Sequence, residues 1–150
     1  MKTELSVSAI KNGTVIDHIA AGQVQRVLAI LNLSKYEEQI YFGANLESKK
    51  YGKKGIIKVS NKFFAPEDIN KIALVSPTAT QIEIRDYNVT KKEQVEIPNE
   101  IDGFVKCINP NCITNHEQVP THFDVVDKKE IVLKCRYCEK NTGKGNIEFI

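Results

Sequence analysis

Two domains of mixed α and β structure are what this sequence predicts, and three observations predict them. Over the first two-thirds of the chain, strand-like alternation of apolar residues trades places with helix-like spacing. Glu96–Gly103 then interrupts that pattern with Pro98 and Gly103 among charged residues, the composition of a domain junction. Beyond it, all four cysteines fall after position 106. The expected domains are therefore residues 1–98 and 99–150.

Each element has its own signal. Leu5, Val7 and Ala9 alternate with polar residues, as a half-buried strand does. Asn12-Gly13 signals a tight turn, and Thr14–Ile19 continues extended after it. Val24, Val27, Leu28 and Leu31 fall at i, i+3, i+4 and i+7, one face of a helix. Ile40, Phe42, Ala44 and Leu46 return to alternation. Ser48–Gly55, rich in lysine and glycine, reads as a loop, and Ile56–Val59 as the next strand. Pro66, Glu67 and Asp68 start a second helix with Ile69, Ile72 and Ala73 inward, and Ser76-Pro77 ends it. Gln81–Val89 is the last strand of this half. Its parity slips after Ile82 and Ile84, which predicts a bulge or bend near Arg85-Asp86. The order strand, helix, strand, strand, helix, strand is the split βαβ pattern of a ferredoxin-like sandwich, an α+β fold with both helices on one sheet face. In the second half, Thr121–Val126 and Glu130–Cys135 pair through Asp127-Lys128-Lys129, and Asn146–Ile150 adds a strand.

Composition excludes several functions. Hydrophobic residues are 41% and charged residues 27% of the 150, ordinary for a globular chain and unlike a disordered one. No stretch approaches the roughly 20 apolar residues of a membrane helix. Met1–Leu5 lacks a signal-peptide core, so a cytoplasmic location is expected. The net charge is +2 with no basic stripe, which argues against a protein that lives on nucleic acid phosphates.

The cysteines speak most clearly. Cys107 and Cys112 form C-x4-C, Cys135 and Cys138 form C-x2-C, and 22 residues separate the pairs. That is the spacing of a four-thiolate zinc site, with each pair on a tight turn and a hairpin between. Disulfides would need an oxidising compartment. A redox C-x2-C would open a helix, and Cys135-Arg136-Tyr137-Cys138 opens none. Four thiolates leave no position for water, so one Zn²⁺ per chain is expected to be structural, in a small zinc-ribbon-like β domain. Lys106, Lys134 and Arg136 stand ready to offset its negative shell. His116 and His122 read as surface residues of the long loop.

No catalytic constellation accompanies the metal. The three histidines are scattered, no nucleophile motif or phosphate-cradling glycine loop occurs, and Glu37-Glu38 and Glu67-Asp68 point apart as sequence neighbours. Lys49–Lys54 is the one basic cluster. From composition alone, the main rival to a regulatory or binding role is a nucleic-acid-binding zinc-ribbon protein. A small ferredoxin-like enzyme would need a positioned arginine at a strand-to-helix turn, and neither Arg26 nor Arg85 sits there.

Several runs together carry a resemblance. They are Ala9–Ile19 with Gly13-Thr14-Val15-Ile16-Asp17-His18-Ile19 at its heart, Ile57-Lys58, the Asp86-Tyr87 turn, Cys107–Ile113 and Lys134–Lys140. In order, over nearly the whole chain, they resemble the regulatory chain of aspartate carbamoyltransferase, an enzyme of pyrimidine biosynthesis. The resemblance implies a non-catalytic subunit. Its first domain would bind CTP and ATP at one site, with UTP as a candidate co-effector, and pair with a second regulatory chain. Its zinc domain would grip the catalytic chain. By matching position, the effector pocket would be Ala9, Ile10, Val15, Asp17, His18, Lys58, Ile84, Tyr87, Val89 and Lys92. Lys58, Lys92 and a protonated His18 would meet phosphates, and Asp17 the ribose hydroxyls. Asn109, Asn111, Glu139 and Lys140 would face the catalytic chain. Ile82 departs from the family member compared, which carries asparagine there.

Overall fold

A computed structural model describes residues 9–50 and 52–150, and the chain divides into two compact units, one ending at Glu96 and one running from Ile97 to Ile150. The strand expected around Leu5 and Val7 lies outside the described residues.

In the first unit the elements are β1 (Gly13–Ala20), α1 (Val24–Leu31), β2 (Ile40–Ser48), β3 (Gly52–Ser60), α2 (Pro66–Ile72), β4 (Thr80–Arg85) and β5 (Asn88–Gln94). The sheet order is β2-β3-β1-β4-β5, and every neighbouring pair is antiparallel. Strand β3 thus lies between β1 and β2, which α1 connects. That is the split βαβ sandwich, extended by β5 at one edge. Val24, Val27 and Leu31 of α1 are buried, as are Ile69 and Ile72 of α2. Against them lie Ile16, Ile57 and Val59, all fully buried, each contributing about 1.5–3 kcal/mol through burial. Gly55 lets α1 approach: a Cβ there would sit 2.1 Å from Val24 Cγ2.

Three expectations need correction here. The single strand Gln81–Val89 is instead a hairpin, because Asp86 (φ 51°) and Tyr87 (φ 65°) form a two-residue primed turn between β4 and β5. The parity slip after Ile84 was the chain reversing, and the bulge sits on β5, where Thr90 is the extra residue between the pairs Glu83–Lys91 and Ile84–Val89. The Ser48–Gly55 loop is mostly strand: β2 runs to Ser48 and β3 starts at Gly52. Phe42, although it opposes buried Ile57, is 54% exposed instead of covered, since β2 is an edge strand and Asn45 (φ 59°) bulges it against β3.

The second unit contains β6 (Glu100–Asp102), β7 (Val105–Lys106), β8 (His122–Asp127), β9 (Val132–Cys135), β10 (Asn141–Gly143) and β11 (Glu148–Phe149). One sheet has the order β10-β9-β8-β6, and β7 pairs with β11. The expected β8–β9 hairpin forms, its turn tied by Asp127 Oδ1 accepting the N–H groups of Lys129 and Glu130 at 3.0 Å. Of the expected Asn146–Ile150 strand only Glu148–Phe149 pairs, and it joins β7 instead of the larger sheet. Phe123, Val105 and Leu133 are fully buried and form the small core. Among the described residues, no helix is long and apolar enough to cross a membrane.

Candidate functional sites: a four-cysteine centre and an open sheet face

The second unit gathers Cys107 after β7, Cys112 before the 3-10 turn Ile113–Asn115, Cys135 at the end of β9 and Cys138 in the turn beyond. Their sulfurs lie within 4.8 Å of one another, with Cys107–Cys138 at 3.6 Å and Cys112–Cys135 at 3.8 Å. A disulfide would need about 2.05 Å. A tetrahedron with metal–sulfur bonds of about 2.3 Å has edges near 3.8 Å. The four thiols therefore fit one four-coordinate metal ion.

The turns prepare these sulfurs electrostatically. Backbone N–H groups donate to them: Asn109 to Cys107, Tyr137 and Cys138 to Cys135, and Lys140 to Cys138. Thr114 Oγ1 donates to Cys112 Sγ at 3.2 Å. Burial still wins at the inner pair, pushing Cys107 up to about 12 and raising Cys135. At half-buried Cys138 burial opposes ionisation too, but the donors from Lys140, Asn109 and the neighbouring thiols outweigh it and bring the thiol down to about 7. Arg136 does not serve as the expected counter-charge. Its Nη2 lies 2.7 Å from Glu100 and 2.8 Å from Asp124, so those carboxylates take up its charge. Lys134 Nζ is 3.7 Å from Glu139. His122 is a strand residue rather than a loop residue, with Nδ1 2.5 Å from Asp102 Oδ1, and His116 is exposed.

The residues expected to face a partner ring this centre. Asn109 Oδ1 accepts the Asn111 N–H at 3.0 Å, and Asn115 Nδ2 donates to the carbonyls of Cys107 (3.1 Å) and Asn109 (2.7 Å), fixing the first turn. Asn111, Glu139 and Lys140 are exposed. Three apolar side chains on the same turns, Ile108, Ile113 and Tyr137, are also open to solvent.

In the first unit, strand register decides which expected effector residues share a face. Val15 pairs with Lys58 on β3 and with Ile82 on β4, and Ile82 pairs with Lys92 on β5. Directly opposed residues point the same way. Val15, Asp17, Lys58, Ile84, Val89 and Lys92 therefore share one face, opposite the helices. Ile82 stands at its centre, where the comparison residue was polar. His18 sits in a bulge of β1, at φ 55°. Ala9, Ile10 and Tyr87 lie at one end of this face and line a cleft of about 290 Å³ with Lys11, Tyr41, Ser60 and Asn61. Tyr87 and Val89 are 67% and 61% exposed, whereas Val15 is buried. A larger cleft of about 700 Å³, lined by Phe64, Ile69, Gln81 and Val95 among others, contains none of the expected residues.

The other end of the face gathers two lysines around one carboxylate. Burial lowers the Lys58 pKa, with partial compensation from Asp17. Asp17 Oδ1 also accepts the His18 N–H at 2.7 Å and meets Lys54 Nζ at 2.8 Å. Sequence reasoning missed Lys54 by assigning it to a loop. It shares the parity of Lys58 on β3, a signal readable once the strand is extended to Gly52.

Comparison with known proteins agrees across the whole length. Residues 5–96 match the family model described as aspartate carbamoyltransferase regulatory chain, allosteric domain, and residues 99–148 match its metal binding domain. The chain is 52% identical over 146 residues to the aspartate carbamoyltransferase regulatory chain of Pyrococcus horikoshii, covering 96% of each protein. It is 49% identical over 149 residues to that of Phocaeicola vulgatus, covering 99% of this chain and 96% of the relative. Four thiols gathered for one metal ion in the second unit and two family models covering both units lead to one conclusion: the chain belongs to the aspartate carbamoyltransferase regulatory chain family, with an allosteric domain and a metal-binding domain.

Proposed function

We propose that residues 1–98 bind CTP and ATP competitively on the helix-free sheet face, with UTP as a co-effector. The observation that carries this reading is the register, which aligns Val15, Asp17, Lys58, Ile84, Val89 and Lys92 on one face with Lys54 beside them. The base takes the cleft near Ala9, Ile10 and Tyr87, and the triphosphate takes Lys54, Lys58, Lys92 and His18. Cations spaced along an apolar floor of Val15 and Ile82 suit a ligand with one flat apolar end and one anionic tail. Calorimetric titration of the metal-loaded chain with CTP, repeated in excess ATP, tests the site. Saturable CTP binding that ATP competes away is expected. A folded chain that binds neither nucleotide would sink this reading.

In residues 99–150 the metal is zinc, one ion per chain, for which four thiolates are the favoured structural shell. Zinc here supplies folding free energy and no reactive water. The chain's own residues then do the docking: Asn109, Asn111, Glu139 and Lys140 meet the catalytic chain around Ile108, Ile113 and Tyr137. Two regulatory chains pair through the β2 edge, where Tyr41, Phe42, Gly43 and Ala44 leave an apolar, uncharged strand to extend. The β5 edge carries Lys91, Lys92 and Glu93, charges that oppose strand addition. A reduced thiol cluster suits a cytoplasmic location. Effector binding then biases the catalytic assembly, with coupling of about 1–3 kcal/mol that is reciprocal between effector and substrate.

A further inference from the structure

We infer that the Ser76-Pro77-Thr78 turn is a positioning clamp for His18, and that its two hydroxyls set the nucleotide affinity of the sheet face. The inference rests on the nucleotide reading above and names a part of the site that neither family resemblance nor register identified.

The clamp answers a gap in the backbone ladder. Pairing of β1 with β4 ends at Asp17–Thr80, and pairing with β3 is interrupted between Ile16 and Ile19 by the extra residue of the bulge. His18 sits inside that interruption with a left-handed backbone (φ 55°), uncommon for a residue with a Cβ. Its carbonyl and the N–H of Ala20 have run past the β4 strand. A buried backbone group left unpaired is costly, so something must replace the missing strand. Side chains do. Thr78 Oγ1 donates to the His18 carbonyl at 2.8 Å, and Ser76 Oγ accepts the Ala20 N–H at 2.9 Å. The two hydroxyl oxygens lie 3.4 Å apart, and Ser76 is fully buried. The clamp is anchored in turn, because the Ser76 N–H donates to the Ile72 carbonyl at 2.9 Å, closing the end of α2.

The consequence lies at the ligand. The His18 N–H binds Asp17 Oδ1, and Asp17 holds Lys54, so the backbone angle of His18 sets where an imidazole, a carboxylate and an ammonium point. Without the Thr78 hydroxyl, that hydrogen bond to the His18 carbonyl is lost and the bulge relaxes. Ser76 and Thr78 touch no ligand themselves; they act through His18.

The test uses the full-length, zinc-loaded chain with CTP as probe. Thr78→Ala and Ser76→Ala are expected to weaken CTP binding about tenfold each, the effect of one lost hydrogen bond. Thr78→Ser, which keeps the hydroxyl, should stay near the parent. In a His18→Ala background Thr78→Ala should cost clearly less than in the parent, because only its effect through Asp17 and Lys54 remains, which separates positioning from general destabilisation. Without nucleotide, the NMR resonances of the His18 backbone and ring should move in Thr78→Ala and return in Thr78→Ser. Unchanged His18 resonances, or losses that simply add in the double variant, would overturn the clamp. A parent chain that fails to bind CTP would overturn the nucleotide reading and, with it, the clamp's role in affinity. The His18 resonances would then still decide its role in geometry.

Discussion

Cys107 and Cys135 illustrate how single residues decide the metal chemistry. Burial raises both thiols, so at neutral pH they carry protons until a cation displaces them. Metal loading is therefore expected to release protons from these residues, and affinity should rise with pH through neutrality. Calorimetry in buffers of different ionisation enthalpy would measure that release, and pH-independent binding would contradict it. Removing a ligand is harsher. Cys112→Ser should drop bound zinc from one per chain to a small fraction and unfold the second unit, as metal analysis and circular dichroism would report. Asp124 adds a separate acid sensitivity. The Arg136 guanidinium holds its carboxyl below the usual range, so its stabilising contribution is present above the ordinary carboxylate pKa and lost as pH falls through the lowered value. On the sheet face, Ile82→Asn tests the one departure from the comparison sequence. A polar group between Val15 and Lys92 should change CTP affinity by severalfold while leaving stability within about 1 kcal/mol, as expected at a half-exposed position.

Among the elements, the α1–β3 contact and the β2 edge make the firmest predictions. A Cβ at Gly55 would meet Val24 Cγ2 at 2.1 Å, so Gly55→Ala should force α1 outward and destabilise the first unit by about 1–3 kcal/mol. Urea unfolding measures it, and an unchanged midpoint would show that α1 adapts freely. At the edge, Phe42→Asp should abolish pairing between regulatory chains, read as a halved mass in sedimentation while monomer stability is kept. The elements were also where sequence reasoning was most uneven. Both helices were legible because Val24, Val27 and Leu31, and Ile69 and Ile72, repeat at helical spacing, and Pro66 marks a start. The β4–β5 hairpin was not, because Asp86 and Tyr87 adopt left-handed angles without a glycine to announce them. Strands β6, β7 and β10 span two or three residues each, too short for alternation to register.

For the whole molecule, two compact units imply two partly separable functions. Chelation of zinc should release the catalytic chain while CTP binding to the first unit persists, a combination that calorimetry and gel filtration on one sample would reveal. Pro98 stiffens the connection between the units. Pro98→Gly is expected to preserve CTP affinity yet reduce CTP's effect on the assembled enzyme, and full inhibition in that variant would contradict a role for the junction.

Pattern and spacing alone determined the α+β class, the two helices and the metal-binding cysteines. These depend on periodicity and on ligand identity, both local properties of the chain. Tertiary structure decided which residues meet. Register put Val15, Lys58 and Lys92 on one face, paired Lys54 with Asp17, spent Arg136 on Glu100 and Asp124, and set Ser76 and Thr78 against the bulge at His18. Such contacts join residues separated by as little as 12 positions, as Arg136 and Asp124 are, and as much as 60, as Thr78 and His18 are, and no local signal encodes them. They arise only when hydrophobic burial and backbone pairing close the sheet.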